Sequence, residues 1–163
     1  MNNIRKTVLD MLNINGIPYT LKEHPAVFTI EDMEALHLDK DEVIPKNLFL
    51  RDNKKTHYYL VVIDKNKRLD LKKLRQQLQS RSLTFASNTD LEKYLGLTQG
   101  SVSPLGILND VTLSVEIILD TDIMVNKKIG IHPNENTATI WLNPKDLENL
   151  IITHGNIIHH IKL

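Results

Sequence analysis

The sequence contains no cysteine among its 163 residues. This absence excludes disulfide bonds, thiolate metal sites and enzymes that act through a cysteine nucleophile. Aromatic residues contribute only 5% of the chain whereas hydrophobic residues contribute 41%, so aliphatic side chains must form most of the core. That balance is typical of a globular protein, and the length predicts one domain over residues 1–163.

The chain also lacks an excess of charge of either sign, because 20 Lys and Arg residues balance 20 Asp and Glu residues. Without a net charge to attract nucleic acid or an anionic membrane, a polyanionic partner would need a local basic patch. We use the name basic segment for residues 54–81, where basic residues outnumber acidic ones. The segment is typical of a solvated helix face, and nucleic-acid binding is the alternative. Its basic members are Lys54, Lys55, Lys65, Lys67, Arg68, Lys72, Lys73, Arg75 and Arg81.

No long hydrophobic run is present either. A membrane-spanning helix needs roughly 18 consecutive apolar residues, and no stretch of the sequence approaches that length. Residues 1–6 lead into an amphipathic pattern and not into the apolar core of a signal sequence. We therefore expect a cytoplasmic protein without a membrane partner.

Several catalytic motifs are missing or incomplete. A serine nucleophile elbow needs serine midway between two glycines, but the segment that begins at Gly100 has Val102 at that place. The glycine patterns that bind nucleotide phosphates are absent. Three histidines match no zinc-site spacing and are predicted to lie on the surface or on an edge strand: His154, His159 and His160. The sequence thus predicts neither a metal nor a cofactor.

The hydrophobic periodicity predicts helices and strands in mixed order. Helices are predicted at residues 4–13, after Thr29 with an end near His37, after the cap Asp70, and at residues 88–95 and 144–153. Strands are predicted at residues 17–21, 43–51, 57–63, 83–86, 114–119, 128–131, 137–142 and 157–161. Because strands and helices do not alternate regularly, we expect a mixed α+β fold with a largely antiparallel, barrel-like mixed sheet and peripheral helices.

Three separate segments combine polar side chains, turn residues and a histidine. Residues 46–52 are predicted to form a strand whose first residues are polar. Residues 100–106 form a turn in which glycine lets the backbone approach a ligand closely. Residues 130–133 are predicted to be a strand end that carries His132. Together they predict a ligand pocket built from a cation, main-chain groups and an imidazole.

With these segments and the runs at residues 105–110 and 134–139, the sequence resembles the family of YbaK proteins and prolyl-tRNA-synthetase-associated domains. Members of this family are aminoacyl-tRNA deacylases. The resemblance covers nearly the whole chain and is closest to free-standing editing proteins, which hydrolyse alanine mischarged onto proline tRNA. It implies a mixed α/β domain around a barrel-like sheet, and an enzyme that uses neither a metal nor a protein nucleophile.

The partner that the resemblance implies is the acceptor end of mischarged proline tRNA. Prolyl-tRNA synthetase is a second candidate partner, and a monomer is the favoured state. A synthetase pocket shaped for proline cannot exclude the smaller alanine, since missing methylenes change binding by only about 1–3 kcal/mol. A second hydrolytic site is therefore useful. Removal of cysteine from proline tRNA stays open as an alternative, as does a non-catalytic module that binds tRNA or the synthetase.

The resemblance implies catalytic roles for four residues. Lys46 would place its ammonium near the terminal phosphate or the ester oxygens, and His132 would orient water or bind the ester or the ribose. Main-chain N–H groups around Gly100 and Ser101 would face the oxyanion. The alternatives are a lysine with its ammonium in water, a structural histidine and an ordinary surface turn.

Further residues are predicted to bind the substrate. Asn47 would do so only if the strand begins at Lys46 or bulges there, because neighbouring side chains of a regular strand point to opposite faces. Ile131 and Ser101 are expected to influence the size of the pocket. The other predicted contacts lie at the entrance, in the glycine-to-proline loop and beside the histidine: Phe28, Thr29, Val102, Ser103, Pro104 and Gly130.

Overall fold

Residues 3–29, 31, 32, 35 and 43–163 are described by the structure, which is a computed structural model. Within them lie the α-helices α1 Asn3–Ile14, α2 Leu71–Leu78, α3 Asn88–Leu95 and α4 Pro144–His154, and a 3₁₀ helix at Pro104–Asn109. These α-helices confirm four of the predicted ones. The helix predicted after Thr29, with its end near His37, lies mostly outside the described residues. No helix in the described part of the chain is long and apolar enough to cross a membrane.

Local side chains cap three of these α-helices, α2, α3 and α4. Asp70 accepts a hydrogen bond from the main-chain N–H of Lys73 at the start of α2, as predicted. Asn143 accepts from a main-chain N–H at the start of α4, and Ser87 and Asp90 form a reciprocal capping box on α3. Each cap satisfies an N–H group that the first helical turn leaves unpaired. Helix starts are therefore decided by residues adjacent in the sequence.

The strands form two sheets. They are β1 Thr20–Glu23, β2 Lys46–Asp52, β3 Tyr58–Ile63, β4 Leu83–Phe85, β5 Val115–Asp120, β6 Ile129–Ile131, β7 Ala138–Leu142 and β8 Ile158–Ile161. The smaller sheet has the order β1-β7-β6 and is antiparallel. The larger sheet has the order β4-β2-β3-β5-β8. Its pairs are antiparallel from β4 to β3 and parallel from β3 to β8.

The mixed α+β fold is confirmed, but the sheets are open and not barrel-like. The larger sheet ends in the edge strands β4 and β8, and the smaller sheet ends in β1 and β6. The chain returns from α4 to place β8 parallel to β5, which extends the larger sheet outward instead of closing it. Strand β1 also begins later than predicted. The N–H of Ile17 closes the turn after α1 by donating to the carbonyl of Leu12, at 2.9 Å.

Strand β3 is buried along its whole length. Its even-numbered residues, from Tyr58, belong to one hydrophobic cluster, and its odd-numbered residues, from Tyr59, belong to a second. This division follows from the two-residue repeat of a strand, which sends successive side chains to opposite faces. The first cluster includes Ile131 and Ile140 of the smaller sheet, and the second includes Leu74 of α2. One core therefore joins the two sheets.

Candidate active site

A cavity of about 340 Å³ is lined by the start of β2, the end of β6 and the loop before the 3₁₀ helix. Its size falls near the lower end of the range for small-ligand pockets, roughly 300–1,000 Å³. Nine of the predicted site residues line it, and they come from the entrance and from all three predicted segments. These residues are Phe28, Thr29, Lys46, Asn47, Gly100, Val102, Gly130, Ile131 and His132.

Three predicted residues do not line the cavity: Ser101, Ser103 and Pro104. The N–H of Ser101 donates to the carbonyl of Thr98 at 3.0 Å. The Ser103 hydroxyl caps the 3₁₀ helix by accepting from Leu105 N–H at 3.2 Å. All three residues are buried, and these contacts support the loop from within. The catalytic and binding roles expected of them stay predictions.

Five lining residues were not among the predicted site residues: Ile44, Pro45, Leu48, Gln99 and Thr139. Two of them directly precede Lys46, and Gln99 directly precedes Gly100. Proximity to a motif residue was therefore a usable signal for these three. Thr139 lies on β7, which pairs with β6 in the smaller sheet, and this pairing brings it to the cavity.

An isolated parallel bridge brings the two sheets together at the cavity. Val43 pairs with Ile129, and the N–H of Gly130 donates to the carbonyl of Val43 at 2.8 Å. Strand β2 begins shortly after this bridge, at Lys46, and β6 ends just before His132. The bridge therefore brings the lysine and the histidine, which are far apart in the sequence, to the walls of one cavity.

The hydrogen bond of His132 decides which ring nitrogen carries a proton. Nδ1 lies 3.1 Å from the carbonyl oxygen of Ala138, and because a carbonyl oxygen only accepts, Nδ1 must carry the hydrogen. Burial lowers the pKa of the imidazole below its ordinary value of 6.5, so the ring is neutral at physiological pH. Nε2 then holds a lone pair, as a group that takes a proton from water must.

A second histidine lies beside the first. The ring centroids of His24 and His132 are 6.2 Å apart. Nε2 of His24 contacts the Thr139 hydroxyl at 2.8 Å, and its Nδ1 contacts the carbonyl of Pro25, also at 2.8 Å. His24 is not among the site residues predicted from the sequence, which gives only a strand at residues 17–21 before it. The contact with Thr139 spans 115 positions, so no local pattern could have revealed it.

The ammonium group of Lys46 donates to the main-chain carbonyl of Lys67. Lys67 follows β3, and its own ammonium pairs with Asp120 at 2.9 Å and with Asp122 at 2.6 Å. Lys46 is half-buried and lines the cavity, so its charge is held at the cavity wall. Lys67 belongs to the basic segment, but internal ion pairs engage its charge.

Asn47 lines the cavity beside Lys46, because β2 begins at Lys46. Its Nδ2 donates to the carbonyl of Val102 over a long 3.4 Å. Its Oδ1 is buried and has no hydrogen-bond partner among the described residues. An unsatisfied buried acceptor typically costs about 1–3 kcal/mol. This oxygen is therefore a candidate to accept a hydrogen bond from a ligand.

Gly100 and Phe28 meet at the edge of the cavity. Gly100 has a φ of 90°, which favours glycine, and a Cβ there would lie 2.9 Å from Cδ1 of Phe28. Phe28 is 67% exposed. Its N–H and that of Thr29 donate to the carboxylate of Asp32 at 2.9 and 3.2 Å. Local hydrogen bonds thus hold an exposed aromatic ring where the sequence predicted the entrance.

A buried ion pair anchors the loop that follows His132. Arg5 of α1 donates to Glu135 at 2.8 Å and to the Thr137 hydroxyl at 2.9 Å, and it also pairs with Glu23 of β1. Burial would raise the pKa of Glu135, but hydrogen bonds from Thr137 and Arg5 outweigh burial and keep the pKa below its ordinary value. A helix distant in the sequence therefore fixes the histidine-bearing loop.

The described residues contain no group of three or more His, Asp and Glu side chains that could hold a metal ion. The histidines of residues 154–160 lie outside the cavity lining and bond to separate partners. Their pairs are His154 with Asn156, His159 with Glu116 and His160 with Glu148. The polar groups of the cavity are an ammonium, an imidazole, two amides, hydroxyls and the main chain.

Comparisons with known proteins show which family the chain belongs to. Residues 24–150 match the aminoacyl-tRNA editing domain. The prolyl-tRNA editing protein ProX of Acetoanaerobium sticklandii is 46% identical over 155 residues, which cover 95% of this chain and 93% of that protein. The prolyl-tRNA synthetase associated domain-containing protein 1 of Danio rerio is 35% identical over 89% of this chain and 79% of its own.

One solved structure with the same fold is described as a candidate trans-editing enzyme for prolyl-tRNA synthetase. The TM-score is 0.73 at 22% identity, over 100% of this chain and 99% of that one. The match to the editing domain includes all nine predicted residues that line the cavity. The chain therefore belongs to the aminoacyl-tRNA editing domain family, which confirms both the family and the class of enzyme, an aminoacyl-tRNA deacylase, predicted from its sequence.

Proposed function

We propose that the chain is a trans-acting editing enzyme that removes alanine from mischarged proline tRNA. The observation that supports this best is the convergence of Lys46, Asn47, Gly100 and His132 on one cavity. Residues 1–163 act as a single editing domain, and water is the attacking group, so no protein nucleophile and no metal is required. The ProX relative, which is named for prolyl-tRNA editing, supports the choice of proline tRNA.

His132 is the proposed base. Nε2 takes a proton from the attacking water while Nδ1–H stays bonded to Ala138, which keeps the ring in one tautomer. The water oxygen bonds to the ester carbon, and a tetrahedral oxyanion forms. When the ester C–O bond breaks, the imidazolium returns its proton to the leaving ribose oxygen. The products are free alanine and a tRNA with its terminal hydroxyl restored.

The charge that develops on the ester needs donors fixed in advance. An ammonium has three N–H donors, and the one that Lys46 gives to Lys67 leaves two for the ester oxygens or the terminal phosphate. In the 100–104 loop, the N–H of Ser101 is already bonded to Thr98. Of the two main-chain donors that the resemblance implies, at Gly100 and Ser101, we assign this role to the N–H of Gly100.

The amino-acid end of the substrate also needs recognition. The unpartnered Oδ1 of Asn47 accepts from the α-ammonium of the aminoacyl group, which removes the cost of leaving that oxygen unsatisfied. Val102, Ile131 and Leu48 give the cavity apolar walls suited to a small side chain. Alanine and cysteine differ little in size, so removal of cysteine is the second candidate.

A deacylation assay with alanyl-, cysteinyl- and prolyl-tRNA(Pro) tests the proposal. We expect the alanyl ester to be hydrolysed fastest and the prolyl ester slowest. Lys46→Ala and His132→Ala should each reduce the rate, whereas His154→Ala, a histidine outside the cavity lining, should not. Faster loss of cysteine would favour the second candidate, and no hydrolysis of any ester would refute both.

A tRNA-binding role for the basic segment is supported by a second concavity. It is lined by Lys72, Arg75, Gln76, Gln79 and Ser80 at helix α2. If these residues contact phosphates, tRNA affinity should fall as salt rises, with a slope set by the number of contacts. Lys72→Ala with Arg75→Ala should weaken binding and flatten that slope. Binding without any turnover would instead favour a non-catalytic module.

A further inference from the structure

We propose that the turn carrying Lys67 positions the ammonium of Lys46, and that Asp120 and Asp122 hold this turn in place. The inference rests on the proposed function, in which Lys46 contacts the substrate. Lys67 and the two aspartates do not line the cavity. They are therefore positioning residues that act through Lys46.

The sheet register brings the participants to one end of the larger sheet. Lys46, the first residue of β2, pairs with Ile63, the last residue of β3. β3 runs parallel to β5, and the last residues paired between them are Val62 and Leu119. Asp120, the next residue of β5, thus lies beside the exit of β3. The backbone alone places a buried carboxylate next to the turn that follows β3.

Asp120 directs its hydrogen bonds to this turn. Its side chain has no exposed surface, and it accepts from the N–H of Asp64 at 3.2 Å and from the Lys67 ammonium at 2.9 Å. A further bond, from the N–H of Asp122 at 3.2 Å, fixes the second carboxylate. The N–H of Lys67 closes the turn on the carbonyl of Asp64 at 3.0 Å. A buried carboxylate is tolerated only when it is paired, so Lys67 holds the turn against the sheet.

The ion pairs of this cluster favour the charged forms of Lys67 and Asp122. Burial would lower the pKa of Lys67, but hydrogen bonds to Asp122 and Asp120 outweigh it and raise the pKa. The bond from Lys67 in turn lowers the pKa of Asp122. Both groups therefore stay charged at neutral pH. What the turn offers to Lys46 is the carbonyl oxygen of Lys67.

A fixed acceptor is needed to hold the Lys46 ammonium in one position. A lysine ammonium is a compact charge on a flexible stem, and unlike a guanidinium it imposes no direction on its partner. Positioned catalytic groups must be held close to their productive geometry by neighbours that are themselves held. The Lys67 carbonyl restrains one N–H of Lys46 and leaves the others for a substrate.

Substitutions at Lys67 test the proposal through kcat and KM for alanyl-tRNA(Pro). Lys67→Met keeps an apolar stem but loses both ion pairs, and kcat should fall by roughly 10- to 100-fold with little change in KM. Lys67→Arg keeps the charge and should recover most of the rate. Lys145→Met, at an exposed lysine of α4, should match the parent protein. A loss of kcat in Lys67→Arg as large as in Lys67→Met would overturn the proposal.

A double substitution separates positioning from a general loss of stability. If Lys67 acts through Lys46, the Lys46→Ala/Lys67→Met protein should be no slower than Lys46→Ala alone. If the double variant instead loses activity by the product of the two single losses, Lys67 acts by another route, and the proposal is overturned. Should Lys46→Ala leave deacylation intact, the lysine's proposed catalytic role would fail on its own.

A measurement without tRNA keeps the inference independent of activity. The rate at which an amine-reactive acylating reagent labels Lys46 can be followed by peptide mass spectrometry in the folded protein. We expect Lys67→Met to raise this rate several-fold relative to the Lys145→Met control, because the ammonium loses its fixed partner. Equal labelling in all variants would overturn the inference.

Discussion

Substitution of Gly130 by alanine tests how tightly the wall of the cavity is packed. A Cβ at this position would lie 2.6 Å from both Cη2 and Cζ3 of Trp141 and 3.0 Å from Cε3. Carbon atoms in good contact are about 3.5–4.0 Å apart, so the indole ring or the strand must move by about 1 Å. Trp141 is only 4% exposed, and its ring cannot swing into solvent.

The size of the effect follows from this overlap. Overpacking a filled core typically costs about 1–3 kcal/mol, and Gly130 does not have the positive φ that would add backbone strain. In a chain of this length, each 1 kcal/mol shifts Tm by about 2–4 °C. Gly130→Ala should therefore lower Tm by about 2–12 °C in calorimetry. It should also slow deacylation, because Gly130 lines the cavity.

Two controls isolate the steric cause. Gly16→Ala places a Cβ with no heavy atom within 4 Å, at a φ of 66°, so its cost of about 1–2 kcal/mol is conformational. Trp141→Phe removes part of the obstructing ring and should recover some of the stability that Gly130→Ala loses. Strict additivity of Gly130→Ala and Trp141→Phe, or an unchanged Tm for Gly130→Ala, would refute the reasoning.

Three further predictions concern the site and its supports. Burial lowers the pKa of His132, so kcat/KM should fall only below about pH 6.5; if His132→Gln keeps this acid limb, the histidine is not the base. Arg5→Met leaves the buried Glu135 without its cationic partner and should lower the free energy of unfolding in urea by about 3–5 kcal/mol. The control Lys6→Met, at an exposed ion pair, should lower it by less than about 1 kcal/mol. The pKa of Glu135 is lowered on folding, so the ionised carboxylate contributes its full stabilisation above the unfolded pKa of about 4.3. The loss of unfolding free energy in Arg5→Met should therefore shrink as the pH falls below that value. A loss that stays constant with pH would contradict this. Gly100→Ala forces alanine to a φ of 90° and should cost about 1–2 kcal/mol of stability as well as activity; a fully active variant would show that the loop tolerates a side chain.

Features decided by neighbouring residues were predictable from the sequence. Residues 52–56, which separate the strands predicted at residues 43–51 and 57–63, indicate an antiparallel hairpin, and the structure pairs β2 and β3 in antiparallel register. Asp70 indicated the start of α2, because a carboxylate can satisfy an N–H group in the first turn. The motif residues Lys46, Gly100 and His132 line one cavity, as their family resemblance implied.

Features that depend on distant pairing were not predictable. Parallel strands such as β3, β5 and β8 are not joined by a tight turn that the sequence would show. The sequence therefore predicts a barrel-like sheet and not the open sheet with parallel pairs that the structure has. The sequence places Lys67 in the basic segment, which is typical of a solvated helix face, although Asp120, 53 positions away, engages its charge. The resemblance implies that N–H groups around Gly100 and Ser101 face the oxyanion, whereas the N–H of Ser101 donates to the carbonyl of Thr98. Sequence patterns do not show which distant residue a polar group will bond to.

The cavity has walls from two different sheets, and this has a consequence for how its selectivity could evolve. Lys46 and Asn47 belong to the larger sheet, whereas Gly130 and Ile131 belong to the smaller. The distance between these walls is set by the shared core beneath them, to which Ile140 contributes. Trimming or enlarging such a buried side chain would widen or narrow the gap without altering any residue that meets the substrate. Adjustment of acyl-group preference is thus open to mutations that a comparison of cavity residues alone would overlook.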